Sequence, residues 1–179
     1  MVATGLDADA LERLFVAHER ALFNVVYRWT WDREDAAEIV QEAFGRLWDM
    51  RERVDTARAR PLVYRIALNL AASRRRWRRL RSFVGWEAER PGDRADAAAV
   101  PEDDLLARER DRAIATALDR LPDALRRTLV LCELSDLSYE EVALVLNTRP
   151  GTVGSRRHAA LARLRPLLTE LLDGGPDAR

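Results

Sequence analysis

Residues Pro61 to Arg81 (PLVYRIALNLAASRRRWRRLR) restrict this chain more than any other stretch. Leu62, Val63, Ile66, Leu70, Ser73, Trp77 and Leu80 recur at three- and four-residue steps, which predicts an amphipathic helix with one stripe packed on neighbouring helices. Arg65, Asn69, Arg76 and Arg79 line another face, and Arg74, Arg75, Arg78 and Arg81 add charge around the far end. No acidic residue falls between Arg58 and Arg81 to neutralise them. A helix end that is merely solvated would carry Glu or Asp for intrahelical pairs. A concentration of arginine without acids calls for a polyanion, and the pattern points to nucleic acid.

The formal net charge of zero hides strong alternation along the chain. Residues 51–86 hold eleven Arg against two acids, whereas residues 1–50 hold five Arg against ten acids and residues 87–104 two against seven. Such blocks say more about partners than the total does. Every basic residue is Arg, a side chain suited to bidentate contacts with phosphates and base edges. The single Cys132 excludes an internal disulfide and any Cys-based metal site, and its apolar neighbours place it in the core. His18 lies on an apolar helix face without a second His, Cys or acid cluster, so it reads as a core histidine making one hydrogen bond. Two separated histidines and no Gly-Lys phosphate loop offer no catalytic constellation, no cofactor site and no metal site. No apolar run approaches the roughly 18 residues of a membrane span and no signal peptide heads the sequence, so a soluble, cytoplasmic protein is expected.

At 179 residues the chain can form one mid-sized core or two small ones. Periodicity predicts helices throughout. Leu6 to Thr30 is the first, with Asp7 or Asp9 as N-cap and Leu11, Leu14, Phe15, Leu22, Val25 and Trp29 on one face. Asp32 to Met50 is the second, capped by Asp32, with Ala36, Ile39, Ala43 and Leu47 inward. Asp35, Glu38, Glu42 and Asp49 form an acidic stripe that fits either a solvated face or a docking surface for a basic partner. Periodicity lapses over Trp86 to Asp104, where Pro91, Gly92, Pro101 and seven acids read as an exposed linker. Leu105 to Leu121 is helical until Pro122 breaks it, and Asp123 to Leu134 follows, buried through Leu125, Leu129 and Cys132. Ser138 and Glu141 make a capping box that opens a two-turn helix, Tyr139 to Leu146. Asn147, Thr148 and Arg149 turn the chain, and Pro150 starts the next helix, with Val153, Ala160 and Leu164 available for the core. That spacing is helix-turn-helix, whose second helix enters the major groove.

The segments DAAEIVQEAFGRLWDMRERV (Asp35 to Val54) and RPLVYRIALNLAASRRR (Arg60 to Arg76) resemble the second conserved region of extracytoplasmic-function (ECF) sigma factors. ALDRLPDALRRTLVL, LSYEEVA and PGTV-x-SR resemble the fourth region of the same family, in the family's order and with a linker between. The resemblance implies an all-α protein. Its parts would be a region 2 domain over residues 1–82, a flexible acidic linker over 83–104, a region 4 domain over 105–173 and a disordered tail over 174–179. The partners it implies are core RNA polymerase, through the β′ clamp helices and the β flap, and promoter DNA in duplex and single-stranded form, with an anti-sigma factor as an optional addition. Asp35, Glu38, Gln41, Glu42 and Trp48 would face polymerase. Asn69 would contact an extruded minus-ten base, with Arg65, Arg74, Arg75, Arg76, Arg78 and Arg79 beside it. Arg149, Thr152, Ser155, Arg156, Arg157 and His158 would lie toward the minus-thirty-five element. The acidic linker would follow the RNA-exit path.

Three positions depart from the family pattern: Leu62 where Trp is common, Gly154 where Lys or Arg is usual, and Arg157 where an inward Leu is usual. At that inward position the stem of Arg157 is expected to lie along the apolar seam and carry its guanidinium to the groove edge. Two other functions share part of this pattern: a helix-turn-helix regulator that acts without polymerase, and a polymerase-binding decoy that reads no promoter.

Overall fold

The computed structural model describes residues 5–83 and 102–173, and the side chains of Arg79, 81–83, 102–109 and 171–173 lie outside the described set. The described residues form seven α-helices and one 3-10 turn, without strands: α1 Ala8–Thr30, α2 Arg33–Asp49, the turn Arg51–Arg53, α3 Thr56–Phe83, α4 Glu102–Asp119, α5 Asp123–Leu134, α6 Tyr139–Leu146 and α7 Pro150–Asp173. Of the expected linker over 83–104, residue 83 ends α3 and residues 102–104 begin α4, while 84–101 and the proposed tail lie outside the described residues. Helices α1 to α3 pack as one unit, α4 to α7 as another, and the two units touch through α1 against α5 and α3 against α6.

In the first unit, Asp7 caps α1 by accepting from the Ala10 amide at 2.7 Å, and Asp32 caps α2 by accepting from Asp35 at 2.9 Å. Leu6, expected to be helical, instead stands before the cap and is buried, its amide donating to the Arg51 carbonyl at 3.0 Å. Ala36, Ile39, Ala43 and Leu47 are fully buried, as expected, and Val40 and Phe44 widen the apolar face. Phe15 meets Phe44 edge to face at 4.9 Å.

Helix α3 differs from expectation at both ends. It begins at Thr56 rather than Pro61, because Asp55 supplies a cap by accepting from the Ala57 amide at 3.0 Å. Pro61 therefore sits inside the helix, where its ring has no N–H to donate to the Ala57 carbonyl. The inward face is Ala59, Val63, Tyr64, Ala67, Leu68 and Ala71, not the full expected stripe. Small alanines let α3 approach α1 and α2 closely, so close packing selected that face over the larger side chains. Leu62, Ile66, Leu70 and Ser73 are half-buried, and Trp77 and Leu80, expected to face inward, are 63% and 59% exposed.

The second unit follows the predicted order, with α4 starting at Glu102, before the expected Leu105. Ala117, Leu118, Leu121, Leu129, Val142, Val153 and Ala160 are buried, while Leu125, Cys132 and Leu164 are half-buried. Burial pushes the Cys132 thiol up in pKa, so it stays protonated at neutral pH. The capping box is formed in both directions: Glu141 N–H donates to Ser138 Oγ at 3.2 Å, and Ser138 N–H donates to Glu141 Oε2 at 2.8 Å. Asn147 takes a left-handed conformation, φ 49°, which stops α6 and sets the turn before Pro150.

Replacing Leu47 by Ala empties a fully buried site and should cost about 3 kcal/mol. Val16→Ala, at a position 75% exposed on α1, should change stability by less than about 0.5 kcal/mol. Urea unfolding followed by circular dichroism measures both.

Candidate nucleic-acid and polymerase interfaces

The arginines of α3 have acidic partners after all, supplied by tertiary structure. Arg74 donates to Asp35 and Glu38, each at 2.7 Å, and Arg78 pairs with Asp32 at 3.2 Å and with Asp35. Burial works to lower the pKa of Arg74, but the bonds from Glu38 and Asp35 outweigh it and raise the value. Two expected sites are thus one network, since Asp35 and Glu38 from the polymerase-facing set hold Arg74 and Arg78 from the DNA-facing set. Asp35 is drawn inward by it, its side chain 16% exposed. Gln41 and Glu42 remain exposed on α2, with Glu42 bonded to Arg46 at 2.7 Å, and Trp48 is half-buried with the Arg51 guanidinium 4.4 Å from its ring centre.

Arg65, Asn69, Arg76 and Trp77 point away from the first unit's core and are exposed. Asn69 lines two clefts between the units: one of about 420 Å³ with Trp29, Ser73, Arg75, Arg76 and Arg127, the other of about 340 Å³ with Arg65, Arg127 and Arg156. Arg156, on α7, thereby shares a cleft with Asn69, on α3.

The two units also meet through a contact that the sequence did not announce. Arg126 of α5, 1% exposed, lies 4.4 Å from the centre of the Trp29 ring. Its Nη2 donates to the carbonyls of Arg28 at 2.8 Å and Trp29 at 3.4 Å, and its Nη1 pairs with Asp119. Those carbonyls belong to the last turn of α1, which has no intrahelical partner for them and carries the negative end of the helix dipole. Burial, with the charge of Arg75 nearby, brings the pKa of Arg126 down to about 10, against the opposing pull of Asp119. At neutral pH the guanidinium keeps its charge.

Ion pairs flank this contact. Arg75 meets Asp119 at 2.8 Å, Arg28 meets Asp111 at 2.7 Å, and Arg60 meets Glu141 at 3.5 Å while also donating to the Asp136 carbonyl. His18 sits near this last group, its ring 6.4 Å from that of Tyr64. The one hydrogen bond expected of His18 is not seen at its Nδ1, which is buried without a partner. Burial and then Arg60 lower its pKa, which favours the neutral imidazole, and burial raises Tyr64 to about 12.

In the helix-turn-helix, Arg149, Ser155 and His158 are exposed, and Thr152 and Arg156 are half-buried. Arg157 departs from expectation. Its Nε donates to Glu133 on α5 at 2.7 Å, and this pair raises its pKa, so the guanidinium is held across the α5–α7 packing surface instead of being carried along an apolar seam. Gly154 is not required by crowding: a Cβ there would meet only Tyr139 Cε2, at 3.6 Å, an ordinary contact.

Among the described residues no group of three or more His, Cys, Asp or Glu side chains is placed to hold a metal, and no helix is long and apolar enough to cross a membrane. The family description "Sigma-70 region 2" matches residues 14–82 and "Sigma-70, region 4" matches residues 111–164, which cover the two helical units. The chain is 29% identical over 173 residues to the ECF RNA polymerase sigma factor SigE of Mycolicibacterium smegmatis, covering 94% of this chain and 66% of that relative. It is 31% identical over 175 residues to the ECF RNA polymerase sigma factor SigL of Mycobacterium tuberculosis, covering 94% of both. Its fold is similar to that of the sigma factor RpoE of Bartonella quintana, solved with the anti-sigma factor NepR, with a TM-score of 0.61 at 21% identity, covering 88% of this chain and 96% of that one. With both regions matched in order and a curated relative aligned along nearly its whole length, the chain belongs to the extracytoplasmic-function sigma factors, which direct RNA polymerase to promoters.

Proposed function

We propose that the residue-level work divides between two sets of arginines, those tied inside the first unit and those left on its surface. The observation that carries this is the α2–α3 network: Arg74 and Arg78 are held by Asp32, Asp35 and Glu38. They fix α3 against the acidic helix, and that helix presents Glu38, Gln41, Glu42 and Trp48 to the clamp helices of polymerase. Arg65 and Arg76, exposed on either side of Asn69, supply phosphate contacts to the minus-ten strand. Asn69, with an amide that both donates and accepts, reads a base edge taken out of the stack. In the second unit, Arg149, Thr152, Ser155, Arg156 and His158 meet the minus-thirty-five duplex, the exposed Arg149 just before α7 adding charge beside the positive end of its dipole. The chain carries out no reaction of its own; polymerase supplies the chemistry. An anti-sigma factor is a further candidate partner, by likeness to RpoE in its complex with NepR.

Promoter-specific transcription by the purified chain on core polymerase tests the assignment. Asn69→Ala should change the ranking of promoters with altered minus-ten bases and leave core binding intact; a uniform loss on all of them would remove its reading role. Arg65→Ala and Arg76→Ala should each weaken all promoters alike and lower the slope of log affinity against log salt by about one. Arg74→Ala should instead lower affinity for core polymerase, measured by competition for core, with little change in that slope.

Gly154→Arg is accommodated by the space beside Tyr139 and adds a cation on α7. It should raise affinity for promoter duplexes by about 1 kcal/mol or less, irrespective of minus-thirty-five sequence, as seen in gel shifts of the holoenzyme.

A further inference from the structure

Arginines from three helices line the two clefts between the units: Arg65, Arg75 and Arg76 from α3, Arg127 from α5 and Arg156 from α7. Asp123 is the one carboxylate among the described residues that line them, and it is already bonded to Arg127 at 2.8 Å. Arg75 pairs with Asp119, also at 2.8 Å. Arg65, Arg76 and Arg156 have no carboxylate partner among the described residues. Like charges gathered where protein lowers the dielectric repel one another, and an anion placed among them removes that cost. The clefts share Asn69, Asp123 and Arg127, so they adjoin, and volumes of about 420 Å³ and 340 Å³ lie in the range of small-ligand sites.

The two linings differ in chemistry. The first cleft holds Arg75, Arg76 and Arg127 with the Ser73 hydroxyl, and guanidinium forks match phosphate oxygens. Trp29 lines it too; this indole is 2% exposed and its Nε1 is buried without an acceptor, a donor left over for an oxygen-rich guest. The second cleft adds Val145 and Leu146 as an apolar wall, with the side-chain amides of Asn69 and Asn147, each able to donate and accept. A bare phosphate chain has no use for that wall, whereas a nucleobase brings a flat apolar face and a polar edge to it. The geometry points to a site for one nucleoside polyphosphate, with its phosphates among Arg75, Arg76 and Arg127 and its base against Val145, Leu146 and the two asparagines. Because both units contribute, the site exists only while they are together, and it does not depend on the promoter contacts proposed for either unit.

Isothermal titration calorimetry of the full chain, in buffer without divalent cations, tests it with GTP, ATP, their nucleosides and inorganic tripolyphosphate as probes. At least one of the two nucleotides should bind with one-to-one stoichiometry, and its nucleoside and tripolyphosphate should each bind at least about tenfold more weakly. Arg127→Gln and Arg76→Gln each remove charge-assisted bonds and should weaken the nucleotide about tenfold or more. Arg76 is exposed, so its variant reads the site without disturbing a core. Arg13→Gln, at an exposed position on α1 that lines neither cleft, makes the same change in net charge and should leave affinity unchanged. Failure of both nucleotides to bind would overturn the site. Tripolyphosphate binding as tightly as the nucleotide would overturn the base-recognising half, and equal losses in Arg13→Gln and Arg76→Gln would reduce the effect to diffuse charge. Base reading by Asn69 is measured separately, on promoter variants with core polymerase present.

Discussion

An arginine removed almost wholly from water must find compensation for its charge, and the arrangement of this molecule turns on how Arg126 finds it. Desolvating a guanidinium is costly unless its face and its donors are occupied. Trp29 covers the face, two carbonyls at the end of α1 accept from Nη2, and Asp119 neutralises the charge. Arg75 and Arg127 also approach the same indole, at 5.6 and 5.5 Å from its centre, so the negative face of one ring is shared by three cations. Asp119 matters doubly, because it pairs with Arg75 as well as Arg126 and so offsets the repulsion between them. The contact between the units is thus charged around Arg126, while apolar residues of both, among them Leu62 and Leu144, line a further cleft between them.

A second network stands in contrast. The Asp32, Asp35 and Glu38 carboxylates grip Arg74 and Arg78 within one unit, whose core of Leu22, Ile39, Leu47 and Leu68 stays shut. Individual pairs this close to the surface contribute little to stability. Their consequence lies in geometry: they hold the acidic helix and the arginine helix at fixed rotation, so the two surfaces proposed to meet polymerase and DNA are set relative to each other. Arg78 also reaches toward the Thr30 carbonyl at 3.4 Å, adding a second arginine to the end of α1. That helix terminus is thereby held from both units.

Much of this was legible in the sequence because it is local. Apolar steps of three and four along α1, α2 and α5, the side-chain caps at Asp7, Asp32 and Ser138, and the pause at Asn147 before Pro150 depend on neighbours only a few residues away. Those rules placed the helices, the turn between α6 and α7, and the family motifs carried on them. They failed where a long-range partner decided the outcome. The inward face of α3 was chosen by close packing of alanines against two other helices, whereas its start is set locally, by the Asp55 cap six residues before the proline. No periodicity could separate an outward Arg126 from a buried one, since its place is fixed by the end of a helix almost a hundred positions earlier.

The charge pattern makes the same division within the site. Sequence alone determined that residues 58 to 81 are arginine-rich and contain no acid, with Asn69 as a polar residue among them. Which arginines remain available was decided by tertiary structure, because a carboxylate 36 or 39 positions away in sequence can lie 2.7 Å away in space. Charge neutralisation depends on distance through space, and only the packing of α2 on α3, and of one unit on the other, brings those carboxylates within reach.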